Sequence, residues 1–358
     1  MKMKSLVLLF TILSFVGCVS KDHQAKKNSL TVMTYNVENL FDSLDDPGKD
    51  DETYLPIEVK KTARHRAKCQ QASRDYYRKL CLEEDWSESK IKRKLTRLAD
   101  VILQVRGGKG PDILILQEVE NLNIAERLRL NYLTKAGYGP SILIEGPDKR
   151  GIDVAILSRL PIRKKSQLHK INLTFIDKET KKEVPARPTR GILQATFTLP
   201  GDKSLTVFGV HFPSQGNPTK ARRTAIKKLN ALKKALPKTE YVIAAGDFNI
   251  SSKEDAKEGL FSKELASEWL VSHQIGCDTC EGTHAYRGGW SFLDAILFSK
   301  NFQSELWTVD PKSIRIPNKS LYQMNHWGAP ARFGDGLSQK GVSDHWPLAA
   351  DIMPKEVR

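Results

Sequence analysis

The chain has 358 residues, with 57 Lys and Arg against 42 Asp and Glu, a formal net charge of +15 and 40% hydrophobic residues. That length and apolar content suffice for one large core and exclude a low-complexity chain. A strongly basic surface attracts polyanions, nucleic acid and anionic lipid headgroups being the two obvious kinds, although charge of either sign also serves solubility.

Residues 1–17 place Lys2 and Lys4 ahead of an apolar run from Leu6 to Val16, the layout of a secretory signal and too short for a membrane span. The tetrapeptide Phe15-Val16-Gly17-Cys18 resembles a bacterial lipobox, which implies cleavage before Cys18 and lipidation of that residue. Phe15 stands where Leu is usual, so an ordinary signal peptide and a soluble secreted form are the alternative. Residues 18–29, polar and rich in Lys, read as a tether, and Val19-Ser20 lacks the aspartate associated with inner-membrane retention, which favours the outer membrane. Loss of Lys2 and Lys4 with the signal takes the charge from +15 to +13. Nothing later has the length of a transmembrane helix, so the lipid would be the membrane contact.

From residue 30 to 358 the chain reads as one α/β domain. Short apolar, β-branched runs at 30–35, 112–116, 152–157, 192–198, 205–211, 241–245, 292–298 and 347–352 predict strands. Between them, Ile91, Leu95, Leu98 and Ile102, and later Ala225, Ile226, Leu229, Leu232 and Leu236, put one apolar stripe on each of two helices. Mixed strand pairing with helices packed outside follows. Residues from about 45 to 94 break the rhythm, acidic first and then basic around Lys60, Lys61, Arg64, Arg66 and Lys68. They read as an insertion, either a polyanion-contacting flap with Tyr76, Tyr77 and Trp86 among its charges or, the plainer reading, a solvated helical excursion. A second loop region, 312–340, carries His326, Trp327, Arg332 and Phe333.

Besides Cys18 there are four cysteines, an even number that suits two bridges in an exported chain. Local pairing, Cys69 with Cys81 and Cys277 with Cys280, is expected over the other two connectivities. A four-cysteine zinc site is the alternative, but the spacing does not give two C-x-x-C knuckles.

Polar motifs follow or flank the apolar runs: Thr34-Tyr35-Asn36-Val37-Glu38, Gln117-Glu118, Arg150-Gly151-Ile152-Asp153, His211-Phe212-Pro213-Ser214, Gly246-Asp247-Phe248-Asn249, Leu293-Asp294 and Ser343-Asp344-His345. Carboxylates, amides and imidazoles emitted from the ends of separate strands are what metal-assisted attack on a phosphate ester requires, which makes the chain a candidate hydrolase. Taken in order, the seven motifs resemble the endonuclease/exonuclease/phosphatase family, the deoxyribonuclease I-like superfamily. The resemblance implies a four-layer α/β/β/α sandwich with two facing mixed sheets, and a divalent-metal-dependent phosphodiesterase or phosphatase site at one edge of it.

It also implies roles. Glu118 would hold Mg²⁺, with Mn²⁺ or Ca²⁺ as alternatives; Asn36 would orient that carboxylate or a phosphate oxygen beside the metal; Asp344 and Glu38 are further metal candidates. Asp247 would orient or deprotonate the attacking water and Asn249 would hold the scissile phosphate. His345, its tautomer fixed by Asp294, would bind phosphate oxygens or move a proton, and His211 would pair with Asp153. Arg190, with Arg187 as competitor, would face the substrate phosphates. The expected function is a monomeric nuclease, an endonuclease acting on DNA and RNA outside the cytoplasm. The alternatives are a sphingomyelinase- or inositol-phosphatase-type enzyme and a non-catalytic polyanion-binding protein.

Overall fold

The computed structural model describes residues 28–355 apart from 73, 178 and 335–339. The expected signal, Cys18 and most of the tether lie outside the described residues. No helix among the described residues is long and apolar enough to cross a membrane.

Two six-stranded sheets form the centre. The first contains β1 (Leu30–Leu40), β2 (Ile113–Val119), β3 (Ile142–Leu143), β4 (Asp153–Ser158), β15 (Trp307–Arg315) and β16 (Leu348–Pro354), in the order β15-β16-β1-β2-β4-β3. The second contains β5 (Ile162–His169), β8 (Ile192–Leu199), β9 (Lys203–His211), β10 (Tyr241–Asp247), β11 (Trp269–Val271) and β14 (Asp294–Ser299), in the order β11-β14-β10-β9-β8-β5. Two small hairpins, β6 (Thr174–Ile176) with β7 (Glu183–Pro185) and β12 (His284–Tyr286) with β13 (Gly289–Ser291), stand apart.

Each sheet has one parallel pair, β1 with β2 and β9 with β10, and its other neighbours are antiparallel. A parallel pair needs a crossover long enough to hold a helix. The first crossover carries the insertion helices α1 (Ile57–Lys60), α2 (Ala63–Cys69) and α3 (Asp75–Glu83), followed by α4 (Glu88–Ile102); α5 (Leu122–Asn131) follows β2, and the second crossover is α6 (Thr219–Lys234).

The strands read as unbroken apolar runs because both faces of each sheet are covered. Val32, Ile113, Ile115, Val207, Ile243 and Ile296 point between the sheets. Their chain neighbours point outward: Met33, Leu114 and Leu116 meet Ile91, Leu95 and Leu98 of α4, while Phe208, Val242 and Ala244 meet Ala225, Ile226 and Leu229 of α6. The four-layer sandwich implied by the motifs is the fold observed, and all eight expected strands are present.

The expectations miss the edges. β5 is mostly exposed and carries Arg163, Lys164 and Lys165, so it lacks an apolar rhythm; charge of this kind protects an edge strand from further pairing. β15 contains Pro311, and its pairing to β16 shifts register after Asp310.

Both bridges form as expected, Cys69–Cys81 and Cys277–Cys280, which removes the four-cysteine zinc alternative. Two residues of the insertion are not surface groups. Lys60 is 2% exposed and its Nζ donates to Thr53 O at 2.8 Å and Leu80 O at 3.5 Å, tying α1 to α3. Trp86 is 4% exposed, edge-on to Tyr54 and donating from Nε1 to Phe41 O at 3.1 Å. Replacing Cys69 and Cys81 by Ala opens a link across 12 residues, worth roughly 3 kcal/mol of unfolded-chain entropy. Calorimetry should show the melting transition displaced downward by a few degrees; an unmoved transition would mean that the bridge does not stabilise the fold.

Candidate active site

The topology sets where polar side chains can gather. Asn36, Glu118, His211 and Asp247 lie at or near the C-terminal ends of the parallel strands β1, β2, β9 and β10, whereas Asp153, Arg190, Asp294 and His345 lie at or just before the starts of their antiparallel neighbours β4, β8, β14 and β16. Antiparallel neighbours begin where parallel strands finish, so all eight positions share one end of the sandwich.

Asp247 is the hub. It is 2% exposed, and its Oδ2 accepts from Asn36 Nδ2 and from Asn249 Nδ2 at 3.1 Å each, while Oδ1 accepts from Asn249 N at 2.7 Å. Asn36 therefore orients Asp247 and not Glu118, since its Oδ1 is taken by the backbone N of Glu38 at 3.0 Å. Asn249 is also anchored to Phe212 O at 3.1 Å. Glu118 accepts from Asn39 N at Oε2 (3.1 Å), while Oε1 faces His211 Nε2 at 3.8 Å; that ring nitrogen is also 3.6 Å from Asp247 Oδ2.

The His345–Asp294 pair is present, with Nδ1 donating to Oδ2 at 2.7 Å. The expected His211–Asp153 pair is not. Asp153 Oδ1 accepts from Gly146 N at 2.9 Å, and neither Asp153 Oδ2 nor His211 Nδ1 has a hydrogen-bond partner. The nearest carboxylates to His211 Nε2 are instead Glu118 and Asp247. Arg190 is 8% exposed beside Asp148, 3.3 Å from Nε without hydrogen-bond alignment, while Arg187 is exposed; burial decides between the two arginines. Asp153 Oδ2, Arg190 Nε, His211 Nδ1 and Asp294 Oδ1 are buried without a hydrogen bond at this one end of the molecule. Buried polar atoms are rarely left so, and a group of them marks a place shaped for a ligand.

Backbone geometry points the same way. Glu38, Asn39, Glu118 and Asn249 have φ of 50°, 59°, 65° and 53°, a region costly for residues with a Cβ, and strain of this kind collects at functional sites. The pairing of β1 with β2 shifts register between Asn36 and Leu40, turning these side chains off the sheet.

The two histidines are driven to opposite charge states. Burial alone would depress His345, but Asp294, Asp247 and Asp344 outweigh it and hold its pKa well above the ordinary value, so the ring is cationic. His211 is pushed well below that value by burial and by Arg190, Arg150 and His345, so it is neutral. Burial raises the Asp247 carboxyl to about 7 against the pull of His345.

Four residues of this region went unassigned from sequence. Lys94 is fully buried in the apolar stripe of α4, donating to Glu38 O at 3.0 Å and Val342 O at 2.7 Å, and so joins the β1 motif to the last one. Burial lowers its pKa to about 8, opposed by Glu38 and Asp344. Arg332 Nε donates to Glu38 Oε1 at 2.6 Å and its Nη2 lies 3.3 Å from Asp344 Oδ2; Phe333 N takes Glu38 Oε2 at 3.0 Å. Glu38, offered above as a metal ligand, is thus engaged at both oxygens as the anchor of the 332–333 segment. His284, Asp344 and His345 each present a ligand atom, all within 4.8 Å of one another. Arg150 Nη2 donates to Asn39 Oδ1 at 2.8 Å. A Lys at a core-facing helical position, as Lys94 is, was the one signal in the sequence that could have found these contacts.

Comparison with known proteins agrees with this fold. The model of the Endonuclease/Exonuclease/phosphatase family matches residues 74–353. Among solved structures, an endonuclease/exonuclease/phosphatase from Bacteroides vulgatus is 16% identical with a TM-score of 0.55, covering 92% of this chain and 100% of that one. Humanized D. rerio TDP2 is 15% identical with a TM-score of 0.54, covering 90% and 98%. D. rerio TDP2 complexed with a single-strand DNA product is 15% identical with a TM-score of 0.51, covering 91% and 99%. No curated protein matches the chain.

Lys94→Met would leave two carbonyls and two acids without their buried cation, a loss of about 3 kcal/mol. Urea denaturation should show a clearly lower midpoint, and an unchanged one would contradict the linking role.

Proposed function

The chain belongs to the endonuclease/exonuclease/phosphatase family, and from that membership we propose that it is a metal-dependent nuclease, an endonuclease that hydrolyses phosphodiester bonds of nucleic acid outside the cytoplasm. The observation that carries the reading is a buried Asp247 held by three amide hydrogen bonds and flanked by one cationic and one neutral histidine.

Glu118 fits a hard divalent ion such as Mg²⁺: it is a carboxylate at the rim, 15% exposed in its side chain, with Oε2 fixed by Asn39 N. Asp344 is the second carboxylate for the ion's surroundings. When bound, such an ion would offset charge that builds on the phosphate oxygens. The protein's own groups do the rest. Asp247, its lone pairs aligned by Asn36 and Asn249, takes the proton of a water whose oxygen forms the new bond to phosphorus as the ester P–O bond opposite breaks. The cationic His345, fixed by Asp294, faces the non-bridging oxygens, and Arg190 adds a buried guanidinium. Neutral His211 stands between Glu118 and Asp247 without adding charge.

Nucleic acid as substrate is supported by the net charge, +15 for the full chain and +13 after the expected signal is lost, by the DNA product bound to the related D. rerio TDP2, and by exposed aromatics, Tyr76 at 61%, Tyr77 at 53% and Trp327 at 81%. Tyr76 and Tyr77 lie side by side on α3, their exposed rings 5.4 Å apart, which favours the insertion as a flap. Two disulfides suit a protein made for an oxidising compartment, in keeping with export by the expected signal, and the lipidated Cys18, outer-membrane location and monomeric state remain part of the proposal.

Supercoiled plasmid should be nicked with Mg²⁺ and left intact with EDTA. Asp247→Asn and His345→Ala should each slow nicking by about 10²–10⁴-fold with melting temperature retained. Release of phosphate from inositol phosphates with no nicking would replace the nuclease reading by a phosphatase one. Changing the exposed Lys61, Arg64 and Arg66 together to Glu should weaken DNA binding and flatten its salt dependence, by up to about 0.9 in slope per lost phosphate contact. Unchanged affinity at low salt would make the insertion a solvated excursion.

A further inference from the structure

The strand directions that gather the catalytic groups at one end leave the opposite end of the sandwich as a separate face. β1, β2, β9 and β10 start there and β4, β8, β14 and β16 finish there, so it is the base of the molecule. β1 enters at Leu30, paired to Ile352, and reaches Asn36 six residues later, which puts the base roughly 20 Å from the phosphate site. Ser29, just before it, is fixed there, its O accepting from Arg106 Nη1 at 2.8 Å. The chain that leads back to Cys18 therefore leaves from the base.

This face is basic and carries isolated apolar side chains. Lys109, Lys203, Lys238 and Lys355 lie in the turns and strand ends that form it, and all four are exposed. Of the acids beside them, Asp112 and Glu240 are buried and Asp202 pairs with Arg163, while Glu305 stands exposed. Leu306, 53% exposed, sits next to Lys355, whose N donates to Leu306 O at 2.7 Å, and Ile162, 52% exposed, opens β5 at the same end. Lysines around separate aliphatic tips suit an anionic bilayer surface, where charge draws the face to the headgroups and the tips enter the interface.

We propose, on the reading that Cys18 is lipidated, that the base of the sandwich docks on the anionic phospholipid surface of the membrane that holds the lipid, and so turns the phosphate site towards solvent. Residues 18–29 span no more than about 40 Å even when extended, so the base stays within that distance of the lipid. A tether sets distance and not orientation. The lysines set orientation, each drawn to the negative surface potential within a Debye length of the headgroups. With the site pointing away, nucleic acid reaches it from solvent without meeting the like-charged bilayer, and the headgroups of the same membrane stay out of its reach.

The test is lysine footprinting of the full-length protein: acetylation by a soluble ester, read by mass spectrometry, in neutral detergent, on vesicles containing phosphatidylglycerol and on vesicles of phosphatidylcholine alone. A negative surface holds protons near it and keeps amines charged, so on the anionic vesicles Lys109, Lys203, Lys238 and Lys355 should react roughly threefold more slowly from the surface potential alone. Lys61 and Lys220, on elements that follow the site ends of β1 and β9, should keep their detergent rates. High salt should shrink the difference. Slowing that is absent, or equal at the two ends, or confined to Lys61 and Lys220, overturns the proposal. So does slowing of the four basal lysines by short DNA duplexes but not by vesicles, which would assign the face to nucleic acid. The N-terminal peptide is weighed in the same digest: a chain without acyl groups on Cys18 removes the anchor and the docking with it, whereas acyl groups with an even footprint remove the docking alone.

Discussion

A carboxylate taken out of water at the end of a β-sandwich is the constraint from which the rest of this site follows. Asp247 is 2% exposed, and an unsupported charge there would be neutralised by a proton. Three amide donors and the cation of His345 oppose that outcome. The residue before it is constrained as well: a Cβ on Gly246, whose φ is 153°, would fall 1.9 Å from Val210 O, so only glycine lets β10 run this close to β9 and still deliver Asp247 to its edge.

The fold supplies the partners cheaply because each sheet contains a single parallel pair. Parallel strands finish together, and their antiparallel neighbours begin at the same end, so groups from six strands and from the loops before β8 and β16 converge without any long excursion. What cannot be supplied from strand ends comes from elsewhere: Lys94 reaches through the core from α4, and Arg332 closes over Glu38 and Asp344 from a loop. Both cations offset acids that the sheets bring too close together.

Much of this was legible before any coordinates. Runs such as 241–245 declared strands because both of their faces are covered, and the polar residues directly after them could only sit at a sheet end, which is why Asp247, Asn249 and the His345–Asp294 pair were found. The failures have a common cause, that periodicity reports burial of apolar residues and is silent on buried polar ones. Lys60 and Trp86 looked like surface groups among charges, yet one ties two helices together and the other packs under the insertion. Lys94 was assigned nothing, yet it is fully buried. The partner of His211 depends on side-chain direction across two sheets, and there a hydrogen bond from Gly146 N captures Asp153 first. β5 escaped because, Leu168 apart, its residues are mostly exposed and charged, which leaves no apolar rhythm to read.

The two histidines lie within the same site and are held in opposite charge states by what surrounds them: carboxylates for His345, burial and then guanidinium groups for His211. Nitrogen NMR of the imidazoles in metal-free protein, followed from about pH 5 to about pH 8, tests this directly against the ordinary histidine pKa of about 6.5. The His345 ring should stay doubly protonated and the His211 ring neutral throughout. Two rings titrating together near the ordinary value would contradict it.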